Sequence, residues 1–196
     1  MRRNYQKHTN ANPLQRWLLE RFHTGVAALV NEALGQTPLA RILDAGCGEG
    51  FVIEFLRQGG AKATVVGLDA DRSALMMAGG RGGNFIEGSA TALPFIDASF
   101  PLVLCLEVME HLEAPQAALT ELSRVSAGFV IISVPNQPLF ALANFLRGKN
   151  LRNLGEDPEH VHHWSAGQFL KLASRSMHVE RVIYPFPWVL ALCKKV

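Results

Sequence analysis

Apolar and polar positions along the chain change period several times, and each change marks a new element. Leu14, Trp17, Leu18, Phe22, Val26, Leu29, Val30 and Leu34 recur every three or four positions, the spacing of one helix face. Asn12 supplies an N-cap, Pro13 a pre-set first turn and Gly35 a stop. Short apolar runs then alternate with short helical stretches. Strands are predicted over 41–45, 64–69, 84–87, 102–106 and 129–134, and helices over 51–57, 73–78 and 116–125. The strand at 129–134, FVIISV, has almost no polar interruption, as expected for a sheet covered on both faces. Repeated strand–helix units imply a parallel sheet with right-handed crossovers. The end differs. Ser165 caps a helix running to 173, and strands follow at 178–184 and 188–193, joined by Pro185-Phe186-Pro187. So short a link allows only antiparallel pairing. The expected fold is α/β: a doubly wound sheet of seven strands, mostly parallel, closed by an antiparallel hairpin and led by an N-terminal helix.

Composition narrows the class. A chain of 196 residues with no repeat, low-complexity tract or dividing linker fits one domain. Its 48% hydrophobic and 18% charged residues can bury a full core, which excludes a disordered chain. A net charge of +2 is too weak to demand a nucleic-acid partner. Cys47, Cys105 and Cys193 are odd in number and widely spaced, with no CxxC. That argues against a disulfide framework and for a reducing cytoplasm. Cys47 and Cys105 read as small hydrophobes in apolar strand settings. The polar start MRRNYQKHTNANP lacks the apolar core of a signal peptide. No apolar run approaches the roughly 20 residues that span a bilayer.

The chemistry gathers at ILDAGCGEG. Gly46, Gly48 and Gly50 follow a strand and open a helix, where glycine permits positive φ and close approach of a ligand to the backbone. The next strand ends in Asp69, the place where doubly wound folds put an acid that accepts from ribose hydroxyls. Together they predict a nucleoside at the carboxyl ends of the strands. The glycine spacing is G-x-G-x-G rather than the dinucleotide G-x-G-x-x-G, and Phe51 takes the sixth position. Glu49 stands where a pyrophosphate would meet the helix N-terminus. Asp44 before the turn and Glu107 after the fourth strand suit a cationic ligand better.

These segments resemble the class I S-adenosylmethionine-dependent methyltransferases. LDAGCGEG looks like their first motif and VVGLDADRSAL like their second. GSATALPFIDASFPLVLCLEVMEHL resembles their adenine-binding segment followed by the fourth strand and its loop. The resemblance covers 42–136 and implies a Rossmann-like fold with S-adenosylmethionine as cofactor and S-adenosylhomocysteine as product. By position it puts Asp44, Gly46, Cys47 and Gly48 at the methionine end and the backbone-contact surface, Asp69 on the ribose and Ala70 beside the adenine. Ser89 and Ala90 edge the adenine ring, and Leu106 and Glu107 close the site near the methionyl group. The family commonly has Asp where this chain has Ser89, so somewhat weaker binding is implied. EVMEHL resembles the branch acting on small molecules, including quinone-biosynthesis enzymes. The acceptor is therefore expected to be small or lipid-like, with no nucleic acid. The resemblance divides the domain into a helical cover (1–36), a cofactor-binding core (41–136), an acceptor-site insertion (137–164) and a closing helix and hairpin (165–196).

Methyl transfer requires alignment, and a base only when the acceptor must lose a proton. His111, just past the fourth strand, is the first candidate base; packing against the following helix is its plainer alternative. HVHHW offers His160, His163 and Trp164 as acceptor contacts, with His163 a secondary catalytic candidate; a solvated loop is the alternative. Three close histidines without a carboxylate at helical spacing make a poor metal signature, so no metal is expected. Tyr5 and His8 are further acceptor candidates. Trp17 and Phe22 read as core, and Arg16 and Arg21 as a solvated basic side. PFPWVL would offer membrane-surface contact if unburied. Two rivals are a nicotinamide-dependent oxidoreductase and a non-catalytic methyltransferase-like binding protein. The glycine spacing, Glu49 and the hairpin disfavour the first, and the undegraded first motif and Asp69 disfavour the second.

Overall fold

The computed structural model describes residues 12–35, 41–60, 63–146, 150 and 153–195. Helix α1 (Pro13–Gly35) opens the described chain. The Asn12 side chain caps it, accepting from the N–H groups of Leu14 and Gln15 at 2.9 and 3.3 Å. Then come β1 (Arg41–Ala45), α2 (Phe51–Gln58), β2 (Thr64–Asp69), α3 (Arg72–Ala78), β3 (Asn84–Glu87) and β4 (Phe100–Leu106). The remainder is α4 (Pro115–Val125), β5 (Ser126–Pro135), α5 (Leu139–Leu146), α6 (Ala166–Ala173), β6 (Met177–Ile183) and β7 (Trp188–Lys195).

The seven strands form one sheet in the order β3-β2-β1-β4-β5-β7-β6. β1 to β5 are parallel, and β7 runs antiparallel to both β5 and β6. The strand order reverses between β1 and β4, so the carboxyl ends of these two strands open a crevice there. Helices α1 and α2 bury Phe22, Val26, Leu29 and Ile53 against one face. Helices α4 and α6 bury Leu119, Leu122 and Phe169 against the other. Both faces are thus dry, which is why β5 and β7 carry nearly unbroken apolar runs.

The predicted elements all form, with ends shifted by a few residues. β4 and β5 begin earlier because Phe100 pairs with Ser126 before a register break at Phe100/Leu102. Helix α5 is not among the predicted elements. LFALANFL is apolar around nearly its whole circumference, so it shows no helical period. It buries Phe140, Ala143 and Asn144 while Leu139, Leu142 and Phe145 face outward.

Two side-chain readings are corrected. The buried stripe of α1 is Gln15, Leu18, Leu19, Phe22, Val26, Leu29, Val30 and Ala33. Leu14 and Trp17 lie off that stripe and are each 47% exposed; the Arg21 guanidinium covers the Trp17 ring at 5.0 Å. Cys47 is buried, but in a turn rather than a strand. In PFPWVL only Phe186 is exposed, because β7 carries Trp188, Val189 and Leu190 into the core. Among the described residues no helix is long and apolar enough to cross a membrane.

Gly67 in β2 tests the packing. A Cβ there would stand 2.8 Å from both Cys47 Sγ and Phe85 Cδ1. Gly67→Ala is expected to cost about 1–3 kcal/mol by overpacking, read as a lower urea midpoint at unchanged slope. Gly167 in α6 has open space around it, so Gly167→Ala should hold or raise the midpoint.

Candidate active site

β1 runs into the glycine turn, where Gly46, Gly48 and Gly50 take φ of +86°, +51° and +78°. Gly46 has no room for a side chain, since a Cβ would fall 2.2 Å from Val108 Cγ2. The N–H groups of Gly46 and Cys47 both donate to the Leu68 carbonyl, at 2.6 and 3.0 Å. Gly48 N–H donates to Asp69 Oδ2 at 2.7 Å, and Asp71 N–H donates to Asp69 Oδ1 at 2.8 Å. The turn and the acid at the end of β2 are therefore one rigid unit.

This unit walls a cleft of about 410 Å³. Of the residues singled out in the sequence, Gly46, Gly48, Asp69, Ala70, Ser89, Ala90, Glu107 and His111 line it. Asp44, Cys47 and Leu106 do not. They line a second cavity of about 50 Å³ that shares Gly46 and Glu107 with the cleft and is covered by Leu19, Phe22 and His23 of α1. The Ser89 hydroxyl meets Thr91 Oγ1 at 2.7 Å and is exposed.

The loop after β4 is held unusually. Glu107 is left-handed at φ +58°. Its N–H donates to Ser133, and its carboxylate accepts from Ser133 Oγ at 3.2 Å and from Trp188 Nε1 at 2.5 Å. His111 closes a 3-10 turn, Met109–His111. Its Nδ1 lies 2.9 Å from the Glu159 carbonyl. A carbonyl only accepts, so Nδ1 carries the hydrogen and Nε2 keeps the lone pair of the neutral ring.

The His160 ring sits edge-on to His111 at 4.9 Å and tilts against Phe140 at 5.6 Å. His163 is one step further out, 6.1 Å from His160, with Nε2 4.0 Å from Glu156 Oε2. Trp164 is not brought to the cleft; it stacks on His162 at 4.7 Å and leans on Phe169. Tyr5 and His8 lie outside the described residues. Glu110 is buried, and one ligand atom from each of Glu110, His111 and His160 lies within 4.8 Å of the others. Spacing along HVHHW could not show this group, because two of its members come from the β4 loop. His23, Ser133, Glu159 and Trp188 are site residues that sequence reasoning missed. They lie in α1, in β5, in the loop before α6 and in β7, and none belongs to a cofactor motif.

Asp44 is 2% exposed, and its Oδ2 accepts no hydrogen bond among the described residues. Burial, and then the nearby Asp69, push its carboxyl from 3.8 up to about 7. Between these values the folded chain binds more protons than the unfolded one. Stability therefore falls as pH rises through that window and levels off above it. Asp44→Asn removes this titration at constant shape. The variant should be more stable than the native chain by on the order of a few kcal/mol at about pH 8, with the gain vanishing toward about pH 4. Denaturant midpoints across that range check it, and a pH-independent gain would contradict it.

Comparison with known proteins agrees with this geometry. Residues 43–132 match the family described as a methyltransferase domain. A mitochondrial ubiquinone biosynthesis O-methyltransferase of Dictyostelium discoideum is 28% identical over 169 residues, covering 73% of this chain and 51% of that protein. A demethylmenaquinone methyltransferase of Renibacterium salmoninarum is 34% identical over 116 residues, covering 57% and 48%. The chain thus spans about half the length of these relatives. Magnesium protoporphyrin IX methyltransferase from Synechocystis, solved with bound S-adenosylhomocysteine, shares the fold at a TM-score of 0.70 and 17% identity, covering 95% of this chain and 89% of that one. Sheet order, glycine turn, acid at the end of β2 and family match converge: residues 43–132 form a methyltransferase domain, and the chain resembles the class I S-adenosylmethionine-dependent methyltransferases in sequence and fold.

Proposed function

We propose that this chain is an enzyme that moves the methyl group of S-adenosylmethionine to a small-molecule or lipid-like acceptor. The observation that carries the reading is the rigid unit of glycine turn and Asp69, set in a cleft of nucleoside size. Each Asp69 oxygen spends one lone pair on a backbone N–H. A carboxylate has about four such sites, which leaves capacity for both ribose hydroxyls. Ala70, Ser89 and Ala90 border the adenine, and the backbone of Gly46 and Gly48 allows close approach. Asp44, Glu49, Asp69 and Glu107 crowd acids around the turn, which repels a pyrophosphate and suits a ligand bearing an ammonium and a sulfonium.

In the reaction the acceptor lone pair forms a bond to the methyl carbon. The carbon–sulfur pair returns to sulfur and leaves S-adenosylhomocysteine. The enzyme's part is alignment in line. Where the acceptor is a hydroxyl, its proton passes to His111 Nε2, whose ring is oriented by the Glu159 carbonyl. His160 borders the acceptor beside His111, with His163 behind it. A quinone-like acceptor draws support from the names of the two relatives and from the outward Leu139 and Leu142 of α5.

Calorimetry should show S-adenosylmethionine and S-adenosylhomocysteine binding while nicotinamide cofactors do not; no binding of the first pair sinks the reading. His111→Ala should lower kcat by about a hundredfold or more while the donor Kd stays near the native value. Unchanged turnover removes His111 from the mechanism. Turnover should also survive exhaustive dialysis against a chelator. A loss restored by a divalent cation would instead make Glu110, His111 and His160 a ligand set.

A further inference from the structure

Trp188 is a β7 residue paired with Pro135 of β5 and almost fully buried. Along the chain it reads as an apolar strand position within PFPWVL. In space its indole Nε1–H ends on Glu107 Oε2 at 2.5 Å. An indole nitrogen donates and never accepts, so the direction of this bond is fixed. The other Glu107 oxygen accepts from the hydroxyl of buried Ser133 at 3.2 Å. Both donors are neutral. They orient the carboxylate without cancelling its charge, as an arginine or lysine would. The backbone is committed to the same end, since Glu107 is left-handed and its N–H is tied to Ser133.

The carboxylate so held lies on the wall shared by the cleft and the second cavity. Nor can the indole swing away. Phe22 of α1 and Phe140 of α5 pack on it, with ring centroids 5.1 and 6.3 Å distant. The same aromatic slot would keep a phenylalanine in place of Trp188.

We propose that Trp188 is a positioning residue for the methyl donor: its indole aims the Glu107 carboxylate at the ammonium of the methionyl group. This rests on the donor assignment made above. The ammonium is common to donor and product, so loss of the indole N–H weakens both. The sulfonium belongs to the donor alone, and a Glu107 aimed at it would distinguish the two.

The test uses the full chain and titration calorimetry with S-adenosylmethionine and S-adenosylhomocysteine. Trp188→Phe should raise both Kd values by about tenfold, the effect of losing one hydrogen bond to a charged group. The donor KM should rise with them, while kcat at saturating donor and the melting temperature change little. Glu107→Gln should also weaken both ligands, and adding Trp188→Phe to it should have no further effect, because the two act as one unit. An independent signature is the indole N–H resonance of Trp188, one of three tryptophans. It should shift in Glu107→Gln and again when donor is added. Native affinities in Trp188→Phe, an equal loss with and without Glu107, or a loss confined to S-adenosylmethionine would each overturn the proposal. If the native chain binds neither ligand, the donor assignment fails first and takes this proposal with it.

Discussion

Three hydrogen bonds donated by backbone N–H groups decide the geometry of the ligand end of this sheet. Gly46 and Cys47 donate to the Leu68 carbonyl, and Gly48 donates to the Asp69 carboxylate. They bind the turn after β1 to the last residues of β2, extending a register in which Ala45 already faces Leu68. The arrangement demands glycine at Gly46, because Val108 from the β4 loop fills the space a side chain would need. Ends of three strands are thus fixed against each other by one small turn. A cleft bounded by such ends is largely formed before any ligand arrives.

The same closeness concentrates negative charge. Asp44, Glu49, Asp69 and Glu107 converge on a turn whose φ values leave backbone surface open. Asp44 carries the cost, since burial and Asp69 favour its neutral form. A cationic ligand relieves exactly this kind of strain, so acids that disfavour the empty site favour the filled one. Stability and binding are opposed at Asp44 and must be read together.

The described part of the segment between β5 and α6 is tied down by backbone groups more than by recognisable side-chain motifs. The Glu110 carbonyl accepts from Val161 and His162 N–H, and Glu159 offers its carbonyl to His111. Asn144 Nδ2 donates to the Gly155 carbonyl, while Gln137 N–H donates to Trp164. These ties set the His160 ring against His111 and pack the half-buried Trp164 beside Phe169. Nothing in the sequence of this segment predicts a regular element. Helix α5 within it lacks a polar face, and the ties use backbone atoms that every residue possesses.

Periodicity and short motifs determined the strand–helix alternation, the closing hairpin, the glycine turn and the acid that answers it, because those signals lie within a few residues or one strand–helix unit. Tertiary structure alone decided that β7 would slide between β5 and β6. That placement brings Trp188 to Glu107 and Phe22, residues far away in sequence. It also decided which aromatics of α1 face inward, and that Glu110 and His160, 50 positions apart, come together. The physical reason is the range of the forces. Dihedral preference and hydrophobic period act locally and can be read in order. A hydrogen bond between side chains on separate elements exists only once the whole sheet has set their distance.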